Sequence, residues 1–276
     1  MPTLALSIFY VVKNEIFNLP KSLHLMKQLD PAEIIILDTG SKDGTYEWAK
    51  SQFPKTTYRH KWKDDFGEAK TAALKKCTQP WVLEMDADEF IDSSLFGNLS
   101  SLLKAAHGVE GFALPVVNFL QSPFHISNPR IMNGVDIRLF RNLKNAYYDG
   151  YIHEQLKGIY KIYQVDKPIL FHLQYKSRGE DLKNKMEYYK KLMDKKTQKY
   201  GWNYLNYVHM SDIYRKLYME FDSDKDYMEC IRLLKMAIIA NPKDDKMPMV
   251  LKDLENIYAR RQKAKQAKKS PILETN

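Results

Sequence analysis

The chain has 276 residues, enough for two unequal domains, and 44% of them are apolar, too many for a disordered chain. Its 43 basic and 34 acidic residues leave a formal charge of +9, which suits anionic partners such as nucleotides, phosphorylated glycans or acidic headgroups. Cys77 and Cys230, far apart, offer no disulfide framework or metal spacing, and no apolar run is long enough to span a bilayer.

Leu4–Val12 is short, apolar nearly throughout and β-rich, as a strand covered on both faces should be. A helix is expected over Ile16–Gln28 with Pro20 early in it, then a second buried strand over Ile34–Asp38. The polar turn Thr39–Thr45 can cap a helix through Trp48 and Ala49. A short strand over Thr57–His60, a helix over Phe66–Lys76 and a strand over Trp81–Asp86 complete a β-α-β-α rhythm, which predicts an α/β fold with a mostly parallel, Rossmann-like sheet. In such sheets ligands bind beyond the carboxyl ends of the strands, so Asp38, Asp86 and Asp88 project toward one rim.

Further strands are expected over Phe112–Phe119, Val135–Phe140 and Pro168–His172. From about Glu180 the chain turns helical, and a boundary near Arg178–Gly179 separates residues 1–178 from a C-terminal helical domain, 179–276. There Met210, Ile213, Tyr214 and Leu217 share one helix face, and Ile231, Leu234, Ala237 and Ile238 another. With Asn241-Pro242 closing the pair, the segment reads either as one tetratricopeptide-like unit or as a plain bundle. The basic run Arg260–Lys269 is expected to be a solvated helix end; its alternative use is peripheral contact with an anionic membrane. The N-terminus has no basic region before its apolar run, so a cytoplasmic protein is expected, associated at most with the inner face of the membrane.

Five segments carry chemistry. Asp86-Ala87-Asp88 at a strand end can share a divalent cation and a ribose or diphosphate; hard oxygen ligands suit Mg2+ or Mn2+. Asp38 can accept hydrogen bonds from a uracil N–H or a ribose, while Asp43 and Thr45 read as helix-capping residues. Lys13 or Glu15, just past the first strand, can face a nucleotide, or each is a solvated loop charge. Asp64-Asp65 precede a helix in which Lys70, one turn in, can reach a diphosphate. His153 and Glu154 can supply a general base.

In order along the chain stand Val12-Lys13-Asn14-Glu15, Asp38-Thr39-Gly40-Ser41-Lys42-Asp43-Gly44-Thr45, Asp65-Phe66-Gly67-Glu68-Ala69, Asp86-Ala87-Asp88-Glu89, Arg138-Leu139-Phe140-Arg141 and Ile152-His153-Glu154. This series resembles the family-two glycosyltransferases, in the branch of lipopolysaccharide-core glucosyltransferases and bacteriocin-peptide glycosyltransferases with C-terminal tetratricopeptide-like helices. The resemblance covers roughly the first 175 residues and implies a GT-A-type fold, an inverting mechanism and a UDP-sugar donor carrying a hexose or N-acetylhexosamine. It implies Asp38 and Asp65 on the donor side, Asp86 at the ribose or metal, Asp88 at the metal, and His172 as a late histidine near the metal. The implied acceptor is a glycan, glycolipid or peptide, and the helical domain is a place where a homo-oligomer can form. One departure stands out: relatives usually have Ala-Arg-Asn where this chain has Ala69-Lys70-Thr71, and lysine lacks the bidentate fork of arginine.

Glu154 is the expected base and His153 its competitor, because alternation along an extended segment would send the two side chains to opposite faces. The alternative for Glu154 is an ion pair with Arg138 or Arg141 that merely holds the site together. A nucleotidyltransferase on a similar scaffold would carry a glycine-rich basic loop after the first strand, and Lys13-Asn14-Glu15 is not one. A noncatalytic helical-repeat interaction protein would not need Asp86 and Asp88. No nucleic-acid partner is expected, since charge is unaccompanied by a recognised binding module.

Overall fold

A computed structural model of the chain describes residues 4–91, 99, 103–104, 106–122, 125–126, 130–165, 170–175 and 178–269. Pro168, expected in the last strand, lies outside the described residues. The chain divides into two compact units, Met1–Lys176 and Ser177–Asn276.

The first unit opens as the sequence rhythm predicts. Strands β1 (Leu4–Val12), β2 (Pro31–Asp38), β3 (Thr57–Arg59) and β4 (Trp81–Met85) alternate with helices α1 (Leu19–Met26), α2 (Thr45–Gln52) and α3 (Phe66–Leu74). All pairings among these four strands are parallel, β3-β2-β1-β4. Helix α1 starts three residues later than expected, because Asn14 takes a left-handed backbone (φ 58°) and residues 15–18 form a turn. Pro20 then falls in the first helical turn, where the missing N–H removes no helical bond.

After β4 the sheet becomes mixed. Strands β5 (Glu89–Ile91), β6 (Gly111–Ser122), β7 (His125–Ile126), β8 (Arg130–Arg141), β11 (Ile162–Gln164) and β12 (Leu170–Tyr175) join it, while β9 (Tyr147–Asp149) and β10 (Gln155–Lys157) form a separate antiparallel pair. The sheet continues as β4-β8-β6-β12-β5, with β4–β8, β6–β8 and β5–β12 antiparallel and β6–β12 parallel. Both faces are covered. Leu6, Ile8, Tyr10 and Val12 of β1 pack with Trp81, Leu83 and Met85 of β4 on the α1 face. Phe9 and Val82 instead join Ala69, Ala73 and Tyr148 on the α3–β9 face. This period-two division places Glu84 on the same face as Val82, toward α3 and β9.

The seam between α3 and β9 is a close backbone contact. Phe66 and Gly67 N–H donate to the carbonyls of Tyr151 and Gly150, both at 3.1 Å. Thr71 Oγ1 accepts from Tyr148 N–H at 2.8 Å and donates to Tyr148 O at 3.2 Å. A Cβ on Gly67 would lie 2.9 Å from Gly150 O and 3.1 Å from Tyr148 O, so only glycine admits this approach.

The second unit comprises α4 (Gly179–Tyr200), α5 (Tyr204–Phe221), α6 (Asp224–Ala240) and α7 (Lys246–Lys269). Asn203 and Ser223 cap α5 and α6 by accepting from Asn206 and Asp226 N–H. Met210, Ile213 and Leu217 of α5, and Ile231, Leu234 and Ala237 of α6, are buried. The basic run lies within α7, where Arg261 donates to the last carbonyls of α5, Tyr218 O and Met219 O, and Lys265 pairs with Asp222 at 2.8 Å. Among the described residues no helix is long and apolar enough to cross a membrane.

The α3–β9 contact makes a direct stability prediction. Gly67→Ala forces backbone apart from backbone and should cost roughly 1–3 kcal/mol, read as a lower midpoint in urea denaturation; an unchanged midpoint would mean that α3 does not dock this closely.

Candidate active site at the carboxyl rim of the sheet

Two loops at the carboxyl ends of β1 and β2 are sewn together. Asn14 N–H donates to Ser41 Oγ, Lys42 N–H to Asn14 Oδ1 and Glu15 N–H to Thr45 Oγ1, each at 2.8 Å, and Ile16 N–H reaches Asp43 Oδ2 at 3.1 Å. Asp43 Oδ1 also accepts the Thr45 N–H at 3.0 Å, next to the first turn of α2. The Asn14 and Asp43 motif residues thus act on each other's loops. Within this frame Asp38 is fully buried; its Oδ1 accepts from Gly40 and Ser41 N–H at 3.0 and 3.1 Å, while buried Oδ2 has no hydrogen-bond partner. A buried carboxylate oxygen left unsatisfied is costly, and it marks a place for a donor from outside the protein.

Beside this frame, on the α3–β9 side of β4, lies a network of buried charges. The β4–β8 register pairs Trp81 with Arg141 and Leu83 with Leu139, and one further step sets Glu84 opposite Arg138. Arg138 donates to Glu84 Oε1 and Glu89 Oε1, both at 3.0 Å, and approaches Asp86 Oδ2 at 3.5 Å. Tyr148 O–H donates to Glu84 Oε2 at 2.8 Å. Lys70 contacts Glu84 Oε1 and also Glu154 Oε1. Burial works against the Lys70 ammonium, but Glu84 and Glu154 outweigh it and raise its pKa; Glu84 and Glu89 do the same for Arg138. Burial and then the Glu84 carboxylate hold the Tyr148 phenol protonated, far above its ordinary range.

Past β4 the chain turns through Asp86-Ala87-Asp88 into β5, whose antiparallel partner β12 sets His172 across from Glu89. His172 Nε2 lies 3.1 Å from Asp88 Oδ2. Burial opposes the imidazolium, yet the Asp88, Glu89 and Asp86 carboxylates raise its pKa. Glu89 Oε2 accepts the Asp86 N–H at 2.9 Å and stiffens the turn. Burial, aided by Asp86 and opposed by Arg138, pushes Glu89 up to about 7. Burial would raise Asp86 also, but Lys70, Arg138 and His172 hold it below its usual range. Ser22 Oγ ties α1 to this turn by donating to Glu89 O at 2.7 Å.

The expected site residues therefore sit in different settings. Asp38, Asp86, Asp88, His172, Lys70 and Glu154 belong to the rim and its charge network. Glu15 is half-buried beside it; burial raises its carboxyl, the Asn18 hydrogen bond opposes, and Asp88 and Asp86 add to the rise. Lys13 is exposed, and Asp65 Oδ1 caps α3 by accepting from Glu68 N–H at 2.9 Å. His153 is exposed with a left-handed backbone (φ 48°), so it and Glu154 stand in a bend, and strand alternation is not what separates them. The ion-pair partner of Glu154 is Lys70 rather than Arg138 or Arg141; Arg141 lies over the Trp81 ring, 4.3 Å from its centroid. Sequence reasoning gave no role to Glu84, Glu89 or Tyr148. The signal for Glu84 was a lone carboxylate inside the apolar strand Trp81–Met85, which cannot be buried without cationic or donor partners.

Lipopolysaccharide core biosynthesis glycosyltransferase LpsC of Rhizobium meliloti (strain 1021) is 31% identical over 155 residues, covering 53% of this chain and 54% of that protein. SPbeta prophage-derived glycosyltransferase SunS of Bacillus subtilis (strain 168) is 30% identical over 155 residues, covering 56% of this chain and 35% of SunS. The match thus spans about half the length of the first relative and a third of the second. Among solved structures, S. aureus TarS aligns with a TM-score of 0.49 and 14% identity over 86% of this chain and 49% of TarS. The family model for glycosyl transferase family 2 matches residues 7–151, a segment containing Asp38, Lys70, Glu84, Asp86, Asp88 and Arg138. With more than half of its length matched, the chain belongs to glycosyl transferase family 2.

Proposed function

We propose that this protein transfers a hexose or N-acetylhexosamine from a UDP-sugar to a glycan, glycolipid or peptide acceptor, with inversion at the anomeric carbon. Residues 1–178 form the catalytic domain in this reading, and 179–276 a helical domain for acceptor or partner contacts. The observation that carries it is the unpartnered Asp38 Oδ2, buried at the end of a parallel strand on the rim that also bears Asp86 and Asp88. A uracil N–H or a ribose hydroxyl satisfies that oxygen, and the loop stitching holds Asp38 in place before the nucleotide arrives.

The donor set at the acid turn fits a divalent cation. Asp88 and His172 approach to 3.1 Å, one offering a hard oxygen and the other an imidazole nitrogen, a pair suited to Mn2+ and tolerable for Mg2+. Among the described residues no group of three or more such side chains gathers, so diphosphate oxygens and water would complete the ligand shell. A bound cation supplies counter-charge to the departing diphosphate. Asp86, held ionised by Lys70, Arg138 and His172, is the third candidate ligand or a ribose acceptor. In calorimetry UDP affinity should fall at least about tenfold in Asp38→Asn, in Asp88→Ala and after chelation. Equal affinity in Asp38→Asn would remove the uridine assignment, and indifference to chelator would remove the metal.

Glu154 is the proposed base. It accepts the acceptor hydroxyl proton while the acceptor oxygen bonds to the anomeric carbon and the bond to the diphosphate breaks, releasing UDP. A carboxylate already aligned by a buried cation satisfies the positioning such a base needs. Glu154→Gln should lower kcat by about 100-fold or more with UDP affinity near wild type. Near-normal turnover would exclude the role, and a comparable loss confined to His153→Ala would move it to the histidine.

A further inference from the structure

Lys70 is the residue that departs from the usual family sequence, and its surroundings are unlike those of a phosphate ligand. Its side chain is only 13% exposed, and its ammonium meets two carboxylates, Glu84 from β4 and Glu154 from the segment after β9. Glu84 is itself immobilised, by Arg138 at Oε1 and by the Tyr148 hydroxyl at Oε2. The backbone that carries Lys70 is fixed against the backbone that leads to Glu154, through Gly67 with Gly150 and Thr71 with Tyr148. Gly150 completes this arrangement: with φ 123°, a Cβ there would sit 3.2 Å from Glu154 Cα.

We propose that Lys70 is a positioning residue for Glu154: anchored on Glu84, it holds the Glu154 carboxylate in place for the acceptor and is not a ligand of the donor diphosphate. The inference rests on Glu154 being the base. Two features of lysine suit the task. The ammonium is a compact charge on a flexible stem, and it bridges carboxylates from two different elements. Against burial, the paired carboxylates keep it cationic.

The test is acceptor-free hydrolysis of UDP-glucose and UDP-N-acetylglucosamine, read as UDP release, together with UDP affinity by calorimetry. Wild type, Lys70→Met, Glu154→Gln and the double variant are compared, each first shown to unfold cooperatively. Lys70→Met should lose about 100-fold in kcat with UDP affinity within about threefold of wild type. The double variant should be no slower than Glu154→Gln, because the lysine acts on the reacting step through the glutamate, while Asp86 keeps Arg138 and His172 as counter-charges. Lys70→Gln, which keeps two N–H donors but no charge, should show the same kcat-only loss to a smaller degree, and it replaces Lys70→Met if that variant does not fold. A tenfold loss of UDP affinity with kcat retained at saturating donor would make Lys70 a donor ligand and overturn the proposal. So would multiplicative losses in the double variant. A Glu154→Gln enzyme with normal turnover would instead remove the base reading itself, and this inference with it.

Discussion

Glu84 lies in the middle of a strand whose five residues are all buried, and its side chain is 5% exposed. Placing an ionised carboxylate there carries a desolvation cost of several kcal/mol, recovered only with close cationic partners and satisfied lone pairs. Lys70, Arg138 and the Tyr148 hydroxyl supply both. Each partner arrives on a different element: α3, β8 and β9. The requirement to neutralise one strand carboxylate therefore fixes the relative placement of three elements. Loss of Lys70 or Arg138 leaves buried carboxylate charge under-compensated, a defect of about 3–5 kcal/mol, whereas loss of the Tyr148 hydroxyl leaves an unsatisfied acceptor.

The consequences spread in two directions. Through Arg138 the network reaches Glu89 and Asp86, so the acid turn is braced from the strand behind it. Through Lys70 it reaches Glu154. Asp86 and Glu154 thus share one counter-ion scaffold. Negative charges crowded at this rim would otherwise repel one another and protonate. Two fixed cations let Asp86 stay ionised, while burial and the neighbouring Asp86 charge shift Glu89 toward neutrality. The neighbouring loop frame solves a separate problem with hydrogen bonds alone. Asn14, Ser41, Asp43 and Thr45 satisfy one another and leave a single oxygen of Asp38 outstanding.

Much of this was legible in the sequence, for reasons specific to each part. The β1–β4 half could be read because buried parallel strands are continuous apolar runs, and Asp38 and Asp86 announce strand ends by breaking them. Asp43 was readable as a local capping residue, though not as the anchor of Ile16 on another loop, because that bond joins residues 27 apart. Strand β5 went unread: three residues, Glu89–Ile91, carry no periodic signal, yet their pairing with β12 brings His172 to Asp88. The partner of Glu154 was misassigned for a similar reason. Arg138 is closer to it in sequence, but β8 register commits that arginine to Glu84, and a lysine 84 residues upstream takes the position. Ion pairing across elements is set by register and face, and a single sequence displays neither directly.

Register also explains why substitution at position 70 need not be conservative in either direction. An arginine on α3 presents five N–H groups in a rigid plane and pairs best with one carboxylate or phosphate edge-on. The two acceptors that Lys70 meets are Oε1 of Glu84 on β4 and Oε1 of Glu154 in the segment after β9. A point charge on a flexible stem satisfies both at once, and Glu84 is already engaged by Arg138 at Oε1 and by the Tyr148 hydroxyl at Oε2, which leaves no free edge for a second fork. The lysine and the β8 arginine are thereby a matched pair. Arg138 spans Glu84 and Glu89 with its two terminal nitrogens, and Lys70 spans Glu84 and Glu154 from α3.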